Sequence, residues 1–218
     1  MIIENFFKAI IYFTVLYLIF YILYSSFSSQ EKINNSSDIF CKEDPIQNTC
    51  SDIQNLSIEG ISSEYYKDVV IVAKAEYTIQ ARLVLKTEYN DQNSGIAKCD
   101  LALAWGDIAK ISNIKDVTYS QSNRWYYFTT HNILKFSVKY VGEHSCNLHA
   151  IASTKKIQKE IDSLKQYDIV RLKGYLVNVT WKNENDSSYY WNSSLRRDDS
   201  GDGACELMYI TDIQIISN

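Results

Sequence analysis

Four short clusters hold most of the residues able to do chemistry in this 218-residue chain: DLALAWGD (Asp100–Asp107), QSNRWYY (Gln121–Tyr127), HSCNLH (His144–His149) and NSSLRRDDSGDGACE (Asn192–Glu206). Two of the three histidines sit in one of them. Cys205 beside a Gly/Asp loop, with His144 or His149 as base, is the pattern of an activated thiol, which needs an imidazole or a cationic group to stabilise the thiolate. The bland alternative is a small buried residue at a strand start, where unoxidised cysteine commonly lies. His144, His149 and Cys205 are also zinc-type donors. Their spacing is awkward, because histidines five residues apart on a regular strand point to opposite faces. No metal or cofactor is assigned on that basis. Arg124 can pair with a carboxylate or phosphate, and the aromatic run after it can stack planar ligands. The candidate ligand contacts are Asn123, Arg124, Trp125, Asn147, Arg196 and Asp198. The candidate catalytic set is Cys205, His144 and His149.

These groups must be positioned mainly by strands. Seventeen tyrosines, four tryptophans and a single proline favour sheet over disorder. A net charge of −4 argues against nucleic acid as a partner. From Tyr65 to Thr87 apolar residues recur at period two, as in a long or bent strand. Cys99 to Ile111 reads as a short core helix, Val117 to Thr129 as one strand, and Phe136 to Tyr140 as the start of another. Ser153 or Thr154 looks like the N-cap of a helix ending near Lys165. The segment YDIVRLKGYLVNVTW reads as a strong strand, with Gly174 marking a bulge or bend. Two further strands follow, from Tyr189 and from Cys205. This order predicts a mainly β fold, a small OB-like closed barrel with one or two short helices. An α+β mixed sheet is the alternative.

The N-terminus sets the expected location. Residues 9–24 carry no charge, and the apolar stretch 5–27 is long enough for a transmembrane helix, which needs about 20 residues. A cleaved signal peptide is the competing reading, although no A-x-A site follows. The expected organisation is a cytoplasmic N-terminus at 1–4, an anchor at 5–27, a polar linker at 28–60 and an extracytoplasmic β-barrel domain at 61–218. That makes the membrane itself a partner through the N-terminal helix. It predicts single-pass localisation in the inner (cytoplasmic) membrane, where an oxidising exterior would allow Cys41 and Cys50 to pair. With five cysteines, at least one is left over.

The four clusters, with the strand VRLKGYLV, resemble a family of uncharacterised bacterial proteins whose members read like DLALGWG, QSNRWYYW, HSANMHLIP, VRLxGYLV and SSLTRxDTGxGACE. The likeness runs from about Tyr77 to Ile216 and implies no known activity. Cys146 stands where that family has alanine, and Cys99 is also additional. The resemblance therefore implies a Cys99–Cys146 disulfide, with Cys205 as the odd thiol. The functional expectation is a binding or assembly module of the bacterial envelope, recognising an envelope protein or a small molecule. A thiol-dependent or metal-assisted hydrolase is the alternative, and the residues do not decide whether the chain is an enzyme.

Overall fold

The computed structural model describes residues 14–22, 24, 41–196, 198–199, 201 and 203–217. The chain divides into two units, Met1–Ile39 and Phe40–Asn218. Within the first, residues 14–22 are helical. Among the described residues no helix is long and apolar enough to cross a membrane. This corrects the expected transmembrane anchor, the membrane partner and the single-pass inner-membrane localisation with its extracytoplasmic domain. The remaining residues of the 5–27 stretch lie outside the described ones.

Among its described residues the second unit has nine strands: β1 (Ile46–Leu56), β2 (Lys67–Glu88), β3 (Cys99–Ala104), β4 (Val117–Ser122), β5 (Trp125–Thr130), β6 (Ser145–Ala152), β7 (Ile169–Lys182), β8 (Ser188–Asn192) and β9 (Glu206–Ser217). Two α-helices, α1 (Val138–Glu143) and α2 (Lys155–Ser163), and two short 3-10 helices, Gly106–Ala109 and Ile111–Asp116, join them. Seven strands form one sheet in the order β1-β2-β3-β6-β9-β7-β8, and β4 and β5 form a separate hairpin. The β6–β9 pair is parallel, so the sheet is mixed. β2 also pairs with β7 between Lys67 and Arg82, which curls the sheet around its core. The outer strands β1 and β8 are each paired on one side only and leave two edges. The expected small OB-like closed barrel with its transmembrane helix is corrected to a mainly β, mixed sheet with few helices, in which β2, β3, β6, β9 and β7 pair in a ring and β1 and β8 are added outside it as edge strands. Strand β1 lies inside the polar stretch read as a linker.

The period-two pattern of β2 works as expected. Ile71, Ala73, Ala75, Tyr77, Ile79, Ala81 and Leu83 are all buried. From Ala75 to Leu83 they join Leu101 and Leu103 of β3, Leu148 of β6, Leu172 and Leu176 of β7, and Ile157 and Ile161 of α2 in one apolar cluster, while Ile71 and Ala73 join Val177, Val179 and Trp181 in another. Thr154 caps α2 by accepting a bond from the Ile157 amide at 3.2 Å. Three local readings are corrected. Cys99–Ala104 is a strand, not a helix, because all six residues are buried and the run lacks the alternation that marks a half-buried strand. The stretch 117–130 is a hairpin rather than one strand, turning at Asn123 and Arg124. After Phe136 the chain turns helical, because the Ser137 hydroxyl caps α1 at the Tyr140 amide.

No disulfide is present among the described residues. Cys99 is opposite Ala150 and Cys146 is opposite Leu103. The two cysteines share a face but lie four positions apart along the ladder, about 13 Å, whereas a disulfide needs Cα atoms within about 7 Å. Cys41 packs with Val84, Phe136 and Ile169, and Cys50 with the separate cluster containing Val177 and Trp181. Both expected bridges are corrected for these reasons.

Gly174 sits at the register shift between β7 and β9. A Cβ there would lie 1.9 Å from the Tyr209 carbonyl oxygen, so the two backbones approach closely. Gly174→Ala is expected to lower stability by at least about 2 kcal/mol, read from the urea midpoint. Gly201→Ala, whose Cβ meets nothing within 4 Å, is expected to lose less despite its φ of +90°.

Candidate functional site

Alternation along β6 separates two rows. Cys146, Leu148 and Ala150 enter the apolar core, and Ser145, Asn147 and His149 line the opposite face. Asp100 of β3 lies directly across from His149 in the ladder. All four polar residues are buried. Hairpin β4–β5 covers them. It shares no backbone ladder with the main sheet and is fastened by side chains. Tyr126 donates to the Ser145 hydroxyl at 2.7 Å, Gln121 to the Asn147 carbonyl oxygen at 2.6 Å, and Arg124 to Asp100 Oδ1 at 2.9 Å. Asn147 Nδ2 returns a bond to the Arg124 carbonyl at 3.2 Å.

Arg124 occupies an expensive backbone position. The hairpin turn has φ of +51° at Asn123 and +69° at Arg124, the type I′ pattern of a two-residue connection. Asparagine enters this region readily, whereas arginine there costs on the order of 1 kcal/mol. The ion pairs offset that cost. Nε and Nη2 of Arg124 grip both oxygens of Asp91 at 2.8 and 2.9 Å, and Nη1 reaches Asp100. The guanidinium also stacks 4.1 Å over the Tyr89 ring. Asp100 Oδ1 accepts a second bond from His149 Nδ1 at 2.8 Å. A carboxylate that accepts from an imidazole places the proton on Nδ1. His149 Nε2 has no hydrogen-bond partner among the described residues. The ring packs against Trp191 at 4.5 Å between centroids.

Above this network opens a cleft of about 370 Å³, lined by Arg124, Trp125, His149, Trp191, Asn192 and Cys205 among others. A second cleft of about 510 Å³ lies against the other side of Trp125 and Cys205 and reaches Asn147, Arg196 and Asp198. The structure thus brings Arg124, Trp125, Asn147, His149 and Cys205 together. Arg196 and Asp198 pair with each other at 3.0 and 3.1 Å on the rim of the second cleft. Asn123 serves the turn. His144 is elsewhere: it ends α1, bonds the Tyr140 carbonyl at 2.9 Å and stacks on the Tyr140 ring. Its role as a base for Cys205 has no support in this geometry. Among the described residues no group of three or more His, Cys, Asp or Glu side chains could hold a metal ion. Sequence reasoning missed Asp91, Asp100, Gln121 and Trp191 as site residues. The usable signals were the alternating Ser-Asn-His of β6 and one aspartate within the apolar run CDLALA.

Electrostatics separate the carboxylates from the thiol. The Arg124 guanidinium holds Asp91 down at about 2. Burial pushes the Cys205 thiol up to about 11, and the carboxylates of Glu206, Asp100 and Asp199 push it the same way. Only the Asn147 amide, 3.7 Å from Cys205 Sγ, acts in the opposite sense.

Two outcomes follow from these environments. A carboxyl whose folded pKa is depressed adds stability above its unfolded pKa, near 3.9, and that increment is lost as pH falls toward 2. Asp91→Asn is therefore expected to be less stable than the parent at pH 6, with the gap closing between pH ~4 and ~2 in urea titrations. Alkylation of Cys205 by iodoacetamide is expected to be slow at neutral pH and to accelerate toward pH 11, as peptide mapping over a pH series would report.

In comparisons with known proteins, no family model, curated protein or solved structure matches this chain, so the reading of the site rests on its own geometry.

Proposed function

We propose that the chain is a small-molecule binding module, with the Arg124–His149–Trp191 cleft as its site. The supporting observation is that the charged groups beneath the cleft are already locked to one another, while the 4 %-exposed His149 lines the cleft and its Nε2 has no partner among the described residues. A pre-formed concavity with aromatic walls and a few directed polar atoms is the usual form of a small-ligand site. Trp125 is 42 % exposed and offers an open ring face. Trp191 and Asn192 contribute from the edge strand β8.

A second reading, a thiol hydrolase with Cys205 as nucleophile and His149 as base, draws on the Asp100–His149 hydrogen bond, which orients the imidazole as in nucleophile–base–carboxylate sets. The raised Cys205 thiol and its three acidic neighbours weigh against it. Fast alkylation of Cys205 at neutral pH, abolished by His149→Ala, would restore this reading.

Binding is tested by thermal-shift and tryptophan-fluorescence screening of the full chain against a metabolite library. A binder is expected to raise Tm, and Trp125→Ala is expected to weaken it by about 10-fold. Hits that are indifferent to Trp125→Ala and His149→Ala would place binding outside this cleft.

A further inference from the structure

A third cleft, of about 620 Å³, opens beside the loop that carries Asp91, and it shares no lining residue with the other two. One side of it is aromatic. Trp181 of β7 and Tyr189 of β8 lie opposite each other in the ladder and stack at 5.5 Å between centroids, with their planes 16° apart. Tyr66 leans against Trp181 at 6.5 Å. Tyr65, 53 % exposed, adds a fourth ring to the lining.

The rest of the lining comes from a loop and a turn whose backbones are tied down. Tyr66 Oη donates to the Gln92 carbonyl at 3.0 Å and accepts from the Gly95 amide at 2.8 Å. Asp91 of the same loop is gripped by Arg124 at 2.8 and 2.9 Å. In the β7–β8 turn the Asn183 side-chain oxygen accepts from the Asn185 and Ser187 amides at 3.0 and 2.9 Å. Asn90 and Gln92 from the loop and Glu184 from the turn line the cleft, and their side chains have no hydrogen-bond partner among the described residues. No lysine or arginine lines it among the described residues. Lys67 reaches the turn, where the Glu184 carbonyl and Asp186 hold it at 3.0 and 3.3 Å.

Two side-chain amides and a carboxyl supply donors and acceptors together, beside ring faces. A sugar matches both halves of that surface. Its hydroxyls give and take hydrogen bonds as amides do, and the weakly positive C–H face of its ring packs on the negative face of an aromatic. A flat arene would answer the rings and leave the amides unpaired, and an anion would find no cation in the lining.

We propose that this cleft binds an uncharged carbohydrate, with one sugar ring against Tyr65 and the Tyr66–Trp181–Tyr189 wall and its hydroxyls bonded to Asn90, Gln92 and Glu184. The site is separate from the Arg124–His149–Trp191 cleft and does not rest on the reading given for that cleft.

The test titrates the full chain by saturation-transfer NMR with cellobiose, maltose, lactose and N,N′-diacetylchitobiose, with benzyl alcohol and glucuronate as comparators. At least one of the disaccharides is expected to bind saturably and ahead of both comparators. That binding is expected to weaken about 10-fold in Tyr65→Ala and in the double variant Asn90→Ala with Gln92→Ala. All three side chains are exposed, so both variants are expected to melt as the parent does by circular dichroism. Benzyl alcohol or glucuronate binding ahead of every disaccharide would overturn the carbohydrate assignment, and so would the lack of a saturable response to any disaccharide. Disaccharide binding indifferent to both variants would overturn the site. Disaccharide binding that is lost in Trp125→Ala and kept in Tyr65→Ala would move the sugar to the first cleft, which overturns this site and leaves the binding reading of the first cleft standing.

Discussion

The Asp100 carboxylate is the constraint on which the site is organised. It lies on a strand buried along its whole length, with no exposure to water. An ion there is tolerable only if its oxygens are bonded and its charge matched. Arg124, His149 and Asn147 do this together, at 2.9, 2.8 and 3.4 Å. Each of those bonds fixes something else: the hairpin turn, the imidazole tautomer and the amide next to Cys205. Removing one partner from a buried ion pair typically costs about 3–5 kcal/mol, so position and charge state are held by the same bonds. What the network secures is a fixed arrangement, and its net contribution to stability is a separate quantity.

The cleft follows from that arrangement. Asp91 grips the outer side of Arg124 while Asp100 holds the inner side, so the guanidinium cannot swing toward a ligand without breaking a paired contact. The lining of the cleft is therefore made of what the network leaves uncommitted among the described residues, namely aromatic rings, amides and one imidazole nitrogen. Cys205 lies at the junction of both clefts in a field set by carboxylates. Burial, with those carboxylates, holds this sulfur as a thiol.

Much of this was legible in sequence, and the failures have physical causes. The strands with one solvent-facing side, such as the first part of β2, declare themselves by alternation. The Gly174 irregularity and the Thr154 cap were also readable, since each is a local chemical requirement. Strand β3 was misread because burial on both faces removes the alternation. The hairpin was misread because its turn carries Arg124 where glycine would be the ordinary signal. The cluster residues Arg124, Trp125, Asn147, His149 and Cys205 were picked by type, and the fold does bring them together. Asp91, Gln121 and Trp191 were not, because their roles depend on pairings tens of residues away in the chain.

The separate hairpin gives the site a hierarchy of stability. A two-stranded ribbon is marginal by itself in water. This one is joined to the main sheet by side-chain bonds and by the packing of Val117, Tyr119, Tyr126 and Phe128, with no shared ladder. The cheapest large fluctuation is then the lifting of the hairpin as a unit, with the seven-stranded sheet intact beneath it. One wall of the cleft, Trp125, leaves in that event, while His149 stays behind. An occupant of the proposed site would bridge the two layers as a clasp, so its affinity and the cohesion of the domain would be one thermodynamic quantity.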